Sequence, residues 1–360
     1  MIRKIIIIQT IIYSVLFSNC SEGFLEIDDN CYWTLDVIVL QKFILNSELS
    51  IAPLELGVQE WENGRLVSLC SSIYSINGCQ QDYQLSGEIP NEIHFLDQLR
   101  DLRLLGNNLS GNIPVNLGHL INLEYLDLSY NNLSDDIPQS FESLIHLRDL
   151  YISNNNISGT IPDVLCNLNN LKNFYAFSNS IEGELPNCIG NLSELSVLVL
   201  FDNEIDGYLP NSIGSLSNLS YLDLSNNNLV GLPESIGEMS SLNYVHLHNN
   251  KLINLPETIC ELDVNWSFPS VSSIYDNYLC ELGYYPECLE EFLGDQVCDW
   301  YLLGDTNLNG EVNILDVVRL VAIILFINDI DEFQFVVSDT FIDSNIDILD
   351  IIVLIDIVLD

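Results

Sequence analysis

Apolar positions between residues 85 and 252 recur with one long period. Seven lines begin at Leu85, Leu109, Leu133, Ile157, Ile181, Ile205 and Leu229, each 24 residues after the last, and the seventh closes after 23. Inside each line the order is L-x-x-L-x-L-x-x-N-x-L, as in Leu123, Leu126, Leu128, Asn131 and Leu133. The alternating leucines predict a short strand with one apolar side. The pairs from Ile89-Pro90 to Leu232-Pro233 open the other half of each line, where proline fixes φ and no ladder donor is needed. Repetition at this length predicts a solenoid, whose units bury their apolar faces only against one another. Asn107, Asn131, Asn155, Asn179, Asn203, Asn227 and Asn250 then form a ladder. Their amides can satisfy the backbone groups of the tight turn after each strand.

This pattern resembles the leucine-rich repeats, and its L-S-G-x-I-P half resembles their plant-type subclass, which also occurs in bacteria. The resemblance implies an α/β repeat: a curved, right-handed solenoid with a parallel concave sheet, spanning residues 85–278. Seventh and eighth lines drop one residue before the proline, so a change is expected on the convex side there. Residues 20–84 are expected to cap the first coil, which would otherwise expose its leucines. Within that cap, spacing predicts a helix over Leu35–Leu45, a second short helix over Glu55–Trp61 after Pro53, and a strand over Gly64–Cys70. At the other end, NYLCELGYYPEC resembles the closing cap of plant-type repeats, placed at 279–298.

Charge narrows the partners. Fifty-two acidic and 10 basic residues give a net charge of −42, which repels nucleic acid and anionic membranes. Such a surface favours cations, basic partners or neutral ligands, and suits a salty medium that screens its self-repulsion. Solubility alone is the plainer purpose of the same charge. Residues 1–19, with Arg3 and Lys4 before an apolar run to Phe17, read as a secretory signal too short to span a membrane. Export agrees with ten cysteines and places the protein outside the cell or on its surface. Leu16-Phe17-Ser18-Asn19-Cys20 resembles a lipoprotein box, with Cys20 as the acylated anchor. The alternative, preferred here, pairs Cys20 with Cys31. Cys70 and Cys79 are near enough to bridge; Cys166 and Cys188 either bridge neighbouring coils or stay free. Cys260, Cys280, Cys288 and Cys298 allow three pairings. Asn-x-Ser at Asn108, Asn132, Asn156, Asn191 and Asn218 is largely a product of the repeat itself.

Residues 299–360 change character. Asp305, Asn307, Asn309, Glu311 and Asp316 place oxygen side chains at alternating loop positions around Gly310, a spacing that converges on one calcium ion. The pattern recurs 34 residues later as Asp339, Asp343, Asp347 and Asp350, and each loop runs into an apolar helix. The second loop departs from it at Phe341 and Ser344. Duplicated calcium loops of this kind resemble a type I dockerin, an EF-hand-like, small all-α domain. The resemblance implies a cohesin-like or other cell-surface partner, although Ile314-Leu315 and Ile348-Leu349 stand where a polar recognition pair is common in that family.

Variable positions between the strand leucines are expected to face out from the concave sheet. The repeat fills them by default with Ser and Asp. Exceptions gather in lines three to seven: Tyr151, Tyr175, Phe177, Val197, Val199, Phe201, Tyr221, Tyr244, His246 and His248. Such a patch points to recognition of a protein or glycan, the alternative being stacking of Phe177 on Phe201 within the sheet. His246-x-His248 can also offer two imidazoles to a zinc or nickel ion. No nucleophile elbow, phosphate loop or HExxH is present, so the chain is expected not to be an enzyme. The expected function is that of a secreted or surface-displayed binding protein, attached through its calcium-dependent tail. A non-catalytic component of a polysaccharide-degrading assembly, or a structural surface lattice, are the alternatives.

Overall fold

The computed structural model describes residues 20–74, 79–279, 285–296, 312, 314–324, 351 and 355. The signal segment, Cys280, Cys298 and most of the tail lie outside the described residues.

Ten strands form the concave sheet. Its parallel register runs from Arg65–Cys70 through Asp101–Arg103, Tyr125–Asp127, Asp149–Tyr151, Asn173–Tyr175, Val197–Val199, Tyr221–Asp223 and Tyr244–His246 to Ser272–Ser273. Val58–Glu62 pairs antiparallel on the outer side of Arg65–Cys70. Each central strand residue is an apolar side chain driven inward, Leu102, Leu126, Leu150, Phe174, Leu198, Leu222 and Val245, all buried. Opposite them, short 3-10 helices follow the prolines, for example Val115–His119 after Pro114. These turns supply a second buried column of Ile93, Leu117, Phe141, Leu165, Ile189, Ile213, Ile236 and Ile259. The convex half is therefore 3-10 helix, not the α-helix that an α/β class implies. Two small parallel sheets flank it, and the last of their strands, Asn228–Gly231, slips register against Glu204–Tyr208. That slip falls in the line that drops a residue.

The asparagine ladder is built as the sequence requires. Asn131 Oδ1 accepts from Leu109 N at 3.0 Å, while its Nδ2 donates to Leu104 O and Leu128 O. The same set repeats to Asn250, and then continues into an eighth rung at Asn277. Gln296 ends the ladder: its Oε1 accepts from Leu279 N and its Nε2 donates to Ile274 O, the bonds a further asparagine would make.

At the N-terminal end, helix Thr34–Asn46 lies where spacing predicted one and buries Val39, Leu40, Phe43 and Ile44 against the first coil. Asp36, fully buried on that helix, accepts from Arg65 Nε at 3.0 Å and from Leu66 N at 2.8 Å. Glu55–Trp61 is not a helix. A 3-10 turn covers Pro53–Glu55, and Val58–Glu62 is a strand because it pairs with Arg65–Cys70. A hairpin of Phe24–Ile27 and Asn30–Trp33 precedes the helix, unforeseen from the sequence. Disulfides join Cys20 to Cys31, Cys70 to Cys79, Cys166 to Cys188 and Cys260 to Cys288. Cys20 is thus bonded rather than presented as a free thiol for acylation.

Candidate recognition surface on the concave sheet

Parallel pairing without register shift brings the variable positions into columns. Tyr151 pairs with Tyr175 across neighbouring strands, and their rings stack at 5.0 Å and 18°. Tyr125 extends this stack diagonally at 5.3 Å from Tyr151. Phe177 and Phe201 stack at 4.5 Å and 10°, and Tyr221 and Tyr244 at 5.4 Å and 29°. Tyr151, Tyr175, Phe177, Val197, Phe201 and Tyr221 are half-buried, and Tyr244 is 43% exposed. The rings therefore stand face to face along the sheet, each side chain partly open to solvent.

Two expected members are not on this surface. Val199 is buried, and so is His246. The histidines are held from the eighth coil, where Ser273 Oγ lies 2.8 Å from His246 Nδ1 and 2.7 Å from His248 Nδ1. One ring nitrogen of each imidazole is spent on this serine, and among the described residues no cluster of three metal-ligating side chains forms. Burial pushes both histidines below their ordinary range, favouring neutral rings. Tyr275 stacks on His248 at 4.6 Å and completes the row. Ser273 and Tyr275 escaped sequence reading because the coil that carries them is longer: Asn277 follows Asn250 by 27 residues.

The tyrosines replace a self-satisfied default. Where the repeat keeps Asp-x-Ser, the carboxylate serves the serine: Ser225 donates to Asp223 through both N and Oγ, and Ser129 N donates to Asp127. With Tyr151 in place of that aspartate, Ser153 Oγ is buried with no hydrogen-bond partner in the chain. An orphaned buried hydroxyl costs about 1–3 kcal/mol. Burial also raises the phenols, Tyr125 to about 12 and Tyr151, Tyr175 and Tyr221 above their usual value. They remain protonated donors throughout the physiological range.

Toward the N-terminal end the same surface becomes ionic. Arg103 grips Asp101 through Nε and Nη2 at 2.8 and 2.7 Å and lies over the Tyr125 ring at 4.2 Å. Arg100 pairs with Glu62, and Arg148 with Glu124 at 3.4 Å. These pairs line an open cleft of about 420 Å³ beside Tyr125. Of the 10 basic residues in the chain, three therefore meet here, among the five carboxylates of Glu60, Glu62, Asp101, Glu124 and Asp149.

Of the calcium set, only Asp316 is described: it is buried in the first turn of helix Ile314–Ile324. Asp305, Asn307, Asn309, Glu311, Asp339, Asp343, Asp347 and Asp350 lie outside the described residues. Among the described residues no helix is long and apolar enough to cross a membrane.

Residues 97–157, 121–181 and 193–252 match the leucine rich repeat family. The ectodomain of the Arabidopsis thaliana membrane receptor kinase GASSHO1/SCHENGEN3, solved with CASPARIAN STRIP INTEGRITY FACTOR 2, is 35% identical over 55% of this chain and 24% of its own, with TM-score 0.51. The Arabidopsis receptor kinase HAESA, solved with the peptide hormone IDA and the co-receptor SERK1, is 32% identical over 61% of this chain and 36% of its own, with TM-score 0.55. A plant ice-binding protein is 25% identical over 70% of this chain and 86% of its own, with TM-score 0.52. The chain spans about a quarter of the first receptor structure and a little over a third of the second. No curated protein is significantly similar to it.

Proposed function

We propose that this leucine-rich-repeat chain is an extracellular recognition protein whose concave sheet binds an extended peptide or protein segment. The observation that carries this is the open row of stacked rings from Tyr125 to Tyr175, built at the expense of the Asp–Ser pair and leaving Ser153 unpartnered. A row of half-exposed aromatics on a rigid scaffold gives contact area at small entropic cost. Phenol hydroxyls and the ion pairs around Arg103 add directional bonds at one end. One receptor ectodomain of similar fold was solved with a peptide hormone and another with CASPARIAN STRIP INTEGRITY FACTOR 2, and four disulfides agree with an oxidising location. Alanine at Tyr175 and Phe201 tests the reading. Both rings are partly exposed, so the melting temperature should fall little while capture of the ligand from the surrounding medium is lost. A large loss of melting temperature with capture intact would mean that the rings only brace the sheet.

The ice-binding neighbour suggests a rival use of the same scaffold. Adsorption to a crystal needs one side chain repeated at a fixed interval, whereas this column reads Arg103, Asp127, Tyr151, Tyr175, Val199, Asp223 and His246. Its variety suits a ligand that itself varies along its length.

Attachment is proposed to come from the tail. Asp305, Asn307, Asn309, Glu311 and Asp316 would hold one calcium ion, and Asp339, Asp343, Asp347 and Asp350 a second. Carboxylates this dense close into a loop only around a cation, so calcium would fold the segment. Chelation of the full chain is expected to remove a separate calorimetric transition and leave that of the solenoid unchanged. A single transition indifferent to calcium would end this part of the reading.

A further inference from the structure

The lateral flank carries a second feature, away from the concave row. Each coil turns after its strand through one residue in the left-handed region, and the column reads Gly106, Tyr130, Asn154, Ser178, Asp202, Asn226, Asn249 and Asp276. Glycine and short polar residues suit that conformation; a bulky ring does not. Tyr130 holds it at φ 56° and is still 46% exposed, so no core packing offsets the strain. Its ring meets that of Tyr74, also exposed, at 5.8 Å edge-on. Tyr74 lies against Gly106, where a Cβ would stand 2.3 Å from the Tyr74 ring. The missing side chain makes room for that ring, and beside it opens a shallow cleft of about 310 Å³.

Its lining is unusual for this molecule. Beside the two tyrosines stand the amides of Gln84, Asn108, Asn132 and Asn154, and no lining residue carries a charge, in a chain of net charge −42. Gln84, Asn108 and Asn132 are exposed, with Asn108 Nδ2 donating to Gln84 Oε1 at 2.8 Å. Asn154 Nδ2 is covered and has no partner in the chain, so nothing ties this amide in its present rotamer. Flat rings attract the polarised C–H face of a pyranose, while carboxamides donate to and accept from its hydroxyls in pairs. A cation would find no carboxylate here and an anion no base.

We propose that this cleft is a binding site for a neutral sugar unit of a glycan, with Tyr130 as the platform and the flanking amides as its hydrogen-bonding rim. It is separate from the concave row, and either can hold without the other. The strain at Tyr130 is then retained for the ring it presents.

The test uses the full chain, made in a host that does not glycosylate Asn108 or Asn132, titrated with cello-, laminari-, xylo- and mannohexaose by calorimetry and saturation-transfer NMR. At least one hexaose is expected to bind at millimolar or better, indifferent to ionic strength. Tyr130→Asn should weaken it roughly tenfold or more, as should Tyr74→Ala, whereas Tyr175→Ala should not. Tyr130→Asn should also raise the melting temperature, because asparagine accepts the left-handed turn. Failure of all four sugars to saturate the protein overturns the proposal. So does undiminished binding by Tyr130→Asn, or a lowered melting temperature that shows the ring pair to be a structural brace.

Discussion

Ser273 is one hydroxyl serving two imidazoles, and its protonation logic is specific. With both rings neutral, one Nδ1 accepts the serine proton and the other donates to the serine oxygen. Burial holds both histidines below their ordinary range, so the folded protein binds fewer protons than the unfolded chain as pH falls through about 6.5. Their stabilising contribution is complete above that pH and is lost progressively below it. Asp36 and Asp127 act oppositely, because burial raises both carboxyls and acidification relieves them. The histidine effect is therefore read by difference. Melting temperatures of wild type and His246→Gln/His248→Gln, compared at pH 7.5 and pH 5.5, should converge or cross on acidification, with wild type losing ground. Parallel curves would show that the pair does not titrate in this window.

At the level of the coil, sequence and structure agree where one constraint acts on each position separately. Leucine columns and asparagine rungs are legible because each coil must bury the same atoms and satisfy the same turn. Asn277 and Gln296 were not, because the 27-residue coil breaks the period and a glutamine, one methylene longer, reaches the same backbone groups. The strand Val58–Glu62 was misread as helix because its partner, not its own composition, decides it. Exposure along the concave face was only partly legible: Val199 and His246 are covered by neighbours that no single-coil pattern reveals. The bridge Cys166–Cys188, left open by the sequence, ties two convex turns with a separation of 22 residues. Closing a loop of that size is worth about 3 kcal/mol by chain entropy. Cys166→Ser/Cys188→Ser should lower the denaturation midpoint accordingly and speed amide exchange first in coils four and five. Unchanged exchange there would mean that Leu165 and Ile189, both buried beside the bridge, couple the coils unaided.

Across the whole molecule the governing quantity is charge. A chain of net charge −42 places like charges within a Debye length of one another, about 10 Å at 0.1 M salt. Ion pairs offset little of this: six join described residues to one another, most of them partly exposed. Arg100, Arg103 and Arg148 offset part of that charge at the Tyr125 end of the concave sheet. A ligand with basic residues would be drawn to this surface. Raising salt from about 0.02 M to 0.5 M shortens the screening length roughly fivefold. It should therefore raise the melting temperature of the solenoid, by an amount on the order of 5 °C. The same change should weaken a basic ligand on the concave face while leaving a neutral sugar at Tyr130 untouched. A melting temperature that falls with added salt would mean that the few ion pairs outweigh the repulsion, reversing the sign of this argument.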